Sequence, residues 1–229
     1  MNQRFVSSCL LLLAFTAGCG KSDPATTPAG ASAPSTSTLS FFVSSATSVT
    51  GNFGGITGAD AICQRLATTV GAGARTWRAY LSVERDATNA NQSTDARGRI
   101  GSGPWINANG ATVARDLTEL HARSGESTMF VDERGQRING QWPASPQPNE
   151  HDILTGSTAE GRLMAGSTCS DWTSDAPTAV AQVGHSDGLG VGGSTAGANA
   201  SWNSAHANQN CANTAPRGGA GRIYCFARN

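Results

Sequence analysis

Gly58-Ala59-Asp60-Ala61-Ile62-Cys63 near the front, Thr168-Cys169-Ser170-Asp171-Trp172-Thr173-Ser174-Asp175 in the middle and Arg222-Ile223-Tyr224-Cys225-Phe226 close to the last residue decide how this chain is read. They hold three of the four cysteines that follow residue 19, and Cys211 is the fourth. An even set of cysteines behind an export signal reads as a disulfide framework. Four cysteines permit three pairings, and their spacing does not choose among them.

The export signal lies at the front. Arg4 precedes an apolar run from Cys9 to Phe15, and Thr16-Ala17-Gly18 lead into Cys19. This order resembles a bacterial lipoprotein signal, with residues 1–18 removed and Cys19 carrying the lipid. The run is far shorter than the roughly 20 apolar residues of a membrane-spanning helix. Several acyl chains on Cys19 would anchor the protein stably, since each buried methylene adds about 0.8 kcal/mol. Residues 19–38 are mainly Ser, Thr, Pro, Ala and Gly and are expected to form a disordered tether spanning on the order of 25 Å. The expected location is the extracytoplasmic cell envelope, at the outer membrane or cell surface, with the membrane reached through the lipid.

Residues 39–229 suit one domain with a sizeable core. Sixteen basic and sixteen acidic side chains cancel, Lys21 is the only lysine, and the arginines are scattered. No basic run points to nucleic acid as a partner. The richness in Gly, Ala, Ser, Thr and Asn predicts long loops, with disulfides compensating for a sparse set of large apolar side chains.

Leu39 to Val49 reads as a first strand. Thr57 and Asp60 suggest a capping box ahead of a helix carrying Ala59, Ile62, Leu66 and Val70 on one face, closed by Gly71. Thr76 to Val83 alternates as a half-buried strand, and Glu84 to Arg97 as an exposed loop. Trp105-Ile106-Asn107 and Thr112-Val113-Ala114 flank a hairpin turn. Arg115 to Ala122 is expected as a short second helix, with a second hairpin joining Met129-Phe130-Val131 to Arg137-Ile138. Loops are expected over 143–150 and 184–201, and a closing strand over 222–226. Two helices and short strands give an α+β class.

In order, GGITGADAICQ, TWRAYLSV, the Trp105-Ile106-Asn107 strand, the Leu117 helix, MFVDERGQ, GRLMAGSTCSDWTSDAP and the final IYCF resemble the endostatin domain of animal collagens and the wider C-type-lectin-like fold. The resemblance covers nearly all of 39–229 and extends to a bacterial envelope family with a lipoprotein signal. It implies two helices, short, mostly antiparallel strands and long loops. It also implies nested bridges, Cys63 to Cys225 around Cys169 to Cys211, and a binding surface on the loop between the inner pair. Animal endostatins hold zinc through an N-terminal His and Asp cluster, and the matching tether here has no histidine. Arg78 and Arg162 match positions of the family's arginine patches for heparan sulfate.

The function expected from this reading is a cell-envelope binding or adhesion module that recognises carbohydrate or another surface protein through its loops. Gln147, Asn149, Glu150 and Asp152 offer oxygen-rich ligands for calcium. Trp202, with Asn203 beside it, is the candidate exposed stacking platform for a sugar, whereas Trp77, Trp142 and Trp172 match core positions of the resembled fold. No catalytic residue and no cofactor other than calcium is assigned. The enzymatic alternative is a small hydrolase using Ser186 of Gly184-His185-Ser186-Asp187-Gly188, or a metal near His151. The following Gly-rich segment opposes a nucleophile elbow, which needs a helix after the serine. The four histidines show no paired metal-ligand spacing. A structural envelope protein without a discrete ligand is the third reading.

Overall fold

A computed structural model describes residues 37–228. The expected signal, Cys19 and most of the tether lie outside the described residues.

The last strand organises the fold. Of the expected first strand, Leu39 to Val49, the part Phe41–Val43 forms strand β1, helix α1 spans Gly55–Thr69, and β2 spans Thr76–Ala79. The terminal strand β10 (Gly219–Arg228) lies antiparallel to both β1 and β2, and its first half runs parallel to β7 (Asp152–Leu154). Two further antiparallel steps extend the sheet through β8 (Gln182–His185) to β9 (His206–Ala207). Successive side chains of a strand face opposite ways, so β10 divides the interior into two cores. Ile223, Cys225 and Ala227 join Phe42, Trp77, Leu81 and Trp172, while Tyr224 and Phe226 join Phe41, Tyr80, Trp105, Phe130 and Trp202.

That double burial corrects the half-buried expectation for Thr76 to Val83. Trp77, Ala79 and Leu81 enter one core, and Tyr80 enters the other. Helix α1 also begins earlier than expected. Gly54 at its N-terminus has φ 75°, no side chain caps it, and Asp60 lies inside the helix. The Asp60 carboxylate instead accepts from the Ala79 N–H at 2.9 Å and pairs with Arg78 and Arg99 at 3.0 and 2.7 Å, tying α1 to β2.

The expected loop over 84–97 contains a hairpin, β3 (Val83–Asp86) with β4 (Gln92–Thr94), and the first residues of a one-turn helix α2 (Ala96–Arg99). Asp86 makes this turn locally, its side chain accepting from the Thr88 N–H at 2.8 Å. The hairpin β5 (Trp105–Ile106) and β6 (Thr112–Ala114) forms as expected. Helix α3 (Leu117–Ala122) does too, capped by Asp116, which accepts from the Glu119 N–H at 2.8 Å. The second expected hairpin is reduced to a single bridge between Val131 and Arg137. The turn α4 (Cys169–Trp172) is left-handed, with φ between 47° and 65° at all four residues.

Both bridges have the nested pairing: Cys63–Cys225 joins α1 to β10, and Cys169–Cys211 lies inside it. The architecture is mixed α+β, with few helices and small sheets. Among the described residues no helix is long and apolar enough to cross a membrane.

Candidate metal centre

Three neighbouring strands place polar side chains at one end of the β7–β8–β9 sheet. Asp152 lies directly opposite His185 in the β7–β8 register, so the two side chains share a face. His206 lies opposite Val183, two residues from His185 and therefore on that same face. His151 precedes β7 and turns its ring into the group. Its ring stacks on His185 with centroids 4.4 Å apart, and His185 meets His206 edge to face at 5.0 Å.

All three imidazoles direct Nε2 at one carboxylate. The distances to Asp152 oxygens are 3.3 Å from His151, 3.4 Å from His185 and 3.6 Å from His206. Each Nδ1 is engaged elsewhere: His151 with the Asp187 carboxylate at 2.8 Å, His185 with the Asn199 carbonyl at 2.9 Å, and His206 with the Ala207 carbonyl at 2.9 Å. In the neutral form of a ring, such an acceptor at Nδ1 places the proton there and leaves a lone pair on Nε2. Both oxygens of Asp152 and the Nε2 of His185 are buried without a hydrogen-bond partner.

The electrostatics follow from burial. Desolvation raises Asp152 to about 6, although the neighbouring His151 and His206 charges oppose it. His185 is lowered to about 4, by burial first and then by the charge of His151. Burial also opposes ionisation of Asp187, but hydrogen bonds from His151 and from the Gln141 and Leu189 N–H groups hold it below the ordinary carboxylate range. Three lone pairs and two carboxylate oxygens converge, and one proton on Asp152 satisfies only one of these contacts. The ligand atoms of His151, Asp152 and His185 all lie within 4.8 Å of one another, a spacing that a shared cation could bridge.

Donors about 2.0–2.1 Å from a tetrahedral zinc ion are about 3.3–3.4 Å from each other, which is the spacing between the His151 and His185 nitrogens and the carboxylate. Asp187 behind His151 is the carboxylate partner that commonly orients a metal-bound imidazole and fixes its tautomer. Gly140 permits that contact, because a Cβ there would fall 2.2 Å from Asp187 Oδ2.

The expected calcium ligands are not brought together. Gln147 is exposed, Asn149 accepts from the His151 N–H at 3.3 Å, and Glu150 is paired with Arg222. Only Asp152 enters the cluster. Trp202 is fully buried against Tyr80, Phe130 and Tyr224, with its indole N–H donating to the Leu120 carbonyl at 2.9 Å. It presents no exposed face to a sugar, because it packs among the aromatic rings of the second core. Asn203 is also buried, and its amide donates to Tyr80 and to two backbone carbonyls. Trp142 is half-buried, under the Arg137 guanidinium at 3.7 Å.

Ser186 is buried in a turn after β8, the next element is only a three-residue 3-10 turn at Val191–Gly193, and no hydrogen bond among the described residues joins its hydroxyl to an imidazole. Arg78 and Arg162 are engaged with Asp60 and Asp95 at 3.0 and 3.6 Å. His151, named with a metal in the enzymatic alternative, lies in this cluster. Its other members escaped spacing arguments because His185 and His206 meet Asp152 through strand register and Asp187 reaches His151 from the turn after β8.

No curated protein matches the chain. Residues 46–189, more than half of the chain, match the family model described as a protein of unknown function, DUF1554. That span contains His151, Asp152, His185 and Asp187, and it ends before His206. The chain belongs to the DUF1554 family.

Proposed function

We propose that this protein is a metal-binding module of the cell envelope, anchored by lipid on Cys19, whose domain holds one divalent transition-metal ion between His151, Asp152, His185 and His206. One observation carries the reading: three imidazole Nε2 atoms converge on a buried carboxylate whose two oxygens have no hydrogen-bond partner. A set of three nitrogens and one carboxylate suits zinc, whereas calcium takes six to eight oxygen ligands.

The domain is proposed to be C-type-lectin-like, of the endostatin type. The nested bridges and the pairing of β1 with β10, which brings the two ends of the domain together, support that class. Recognition of carbohydrate or of another surface protein is part of the same proposal, and its link to the fold is one of analogy. His185 and His206 bracket the segment 186–205, so a metal ion between them would hold both ends of a Gly-rich surface loop, the kind of element that carries recognition on a rigid base.

Calorimetric titration of the metal-free protein with Zn2+ tests the reading. One equivalent should bind, and His185→Ala and His206→Ala should each weaken binding by at least about tenfold, by analogy with losses seen on disturbing metal shells. Absence of stoichiometric binding, or full affinity in both variants, would overturn it.

A further inference from the structure

We propose that the surface loop 189–199 is the outer shell of the metal centre, with Leu189 and Asn199 as positioning residues, so that loop conformation and occupancy of the centre are coupled. Filling the centre fixes the loop, and whatever grips the loop tightens metal binding. This rests on the reading of the cluster as a metal site.

The loop touches the groups that hold the ligands at both of its ends. At the front, the Leu189 N–H donates to Asp187 Oδ1 at 3.1 Å, the same oxygen that lies 2.8 Å from His151 Nδ1. At the back, the Asn199 carbonyl lies 2.9 Å from His185 Nδ1. An imidazole that binds a metal ion through Nε2 carries its proton on Nδ1 and donates it to such an acceptor, which sets the ring's orientation. One end of the loop therefore positions the partner of His151, and the other end is the partner of His185.

Between these ends the loop closes on itself. The Gly190 N–H donates to the Ser194 carbonyl at 2.6 Å, the Gly193 N–H to the Gly190 carbonyl at 3.0 Å and the Asn199 N–H to the Ala196 carbonyl at 3.3 Å. Glycine is required at 190, because a Cβ there would fall 2.4 Å from the Asn199 side chain. The residue that holds His185 thus packs against the neighbour of the residue that holds Asp187.

The rest of the loop has little packing. Residues 191–193 and 195–198 are exposed, Val191 at 91 %, and a Cβ at 192, 193 or 197 would meet nothing within 4 Å. Segments with few buried contacts open at low free-energy cost. A metal ion that fixes the rings of His151 and His185 fixes the groups these rings engage, and thermodynamic linkage makes the effect mutual.

Amide hydrogen exchange on the full-length protein, metal-free and saturated with Zn2+, tests this. Amides in 189–199 should exchange at least about fivefold more slowly with Zn2+. Those in the turn between β3 and β4, residues 87–91, whose hydrogen bonds run to Asp86 and Thr94, should keep their rates. Equal slowing in both segments, or unchanged exchange in 189–199 when calorimetry shows Zn2+ bound, overturns this inference alone. In the other direction, Asn199→Gly keeps the carbonyl but removes the side chain that packs on Gly190, and it should weaken Zn2+ binding about tenfold with one equivalent still bound. A folded Asn199→Gly protein with full Zn2+ affinity overturns the coupling, and the exchange comparison on the unaltered protein decides the matter if that variant folds poorly. Failure of the unaltered protein to bind Zn2+ overturns the metal reading and this inference with it.

Discussion

Two histidine-containing polar groups lie within this domain, and they are built in opposite ways. At His121, Nδ1 engages the Leu117 carbonyl at 2.7 Å and Nε2 the Tyr80 hydroxyl at 2.8 Å, while Asn203 donates to that hydroxyl at 3.0 Å. Every imidazole nitrogen there has a protein partner. At the His151, His185 and His206 cluster, each ring has one nitrogen engaged with an acceptor and the other aimed at a carboxylate that offers no proton in return. Buried polar atoms without partners are uncommon and costly. The closed network reads as part of the scaffold, and the open one as a place for something the chain does not itself supply.

The largest expected effect tests the scaffold side. Replacing Cys63 and Cys225 by alanine opens a loop with a sequence separation of 162 residues. On the chain-entropy account this costs about 5 kcal/mol, against about 4 for Cys169 and Cys211. Urea denaturation should order the two variants that way, and equal losses would remove the distinction between outer and inner staple.

Trp202→Ala comes next, because it empties a fully buried site shared with Tyr80, Phe130 and Tyr224. A loss of about 3–5 kcal/mol is expected by thermal or chemical unfolding. A variant of native stability with altered ligand binding would return Trp202 to the surface role its polar neighbours suggest.

A middle-sized effect belongs to the open cluster. Zn2+ at one hundred times its dissociation constant should stabilise the protein by about 2.7 kcal/mol, and at the same Zn2+ concentration His185→Ala should cut that gain to about 1.4 kcal/mol or less. Asp152→Asn has the opposite sign in the metal-free protein. The amide removes a buried charge and offers N–H donors to bare Nε2 atoms, so stability should rise by about 1 kcal/mol while Zn2+ stabilisation disappears. A metal-free Asp152→Asn protein that is less stable would show that a proton, rather than a cation, normally resolves the cluster.

The smallest effect closes the comparison. Tyr80→Phe deprives His121 Nε2 of its donor and Asn203 of an acceptor, which should cost about 1–2 kcal/mol and leave Zn2+ affinity unchanged. A change in metal affinity would mean that the two polar groups are coupled through the sheet.

Local pattern made part of this molecule legible. The spacing of Ala59, Ile62 and Leu66 marks α1, and the turn at Ala108-Asn109-Gly110 marks the β5–β6 hairpin, because both signals act over a few residues. Tyr80 shows where that stops. Alternation assigned it to the polar side of a half-buried strand, yet the strand is covered on both faces once β10 lies beside it. The 84–97 segment was hidden for a different reason, since Asp86 organises its turn through its own side chain without a Gly or Pro signal.

By itself, the sequence determined the disulfide chemistry, the mixed α+β class and the position of the main helix, because composition, cysteine number and helical period are properties of neighbouring residues. Tertiary structure alone decided the burial of Trp202, the pairing of Glu150 with Arg222 and the meeting of His151, Asp152, His185 and His206. These depend on which strands lie side by side and in what register. A shift of one residue in β8 or β9 would turn its histidine to the opposite face, so the candidate site belongs to the sheet and to no single segment of the chain.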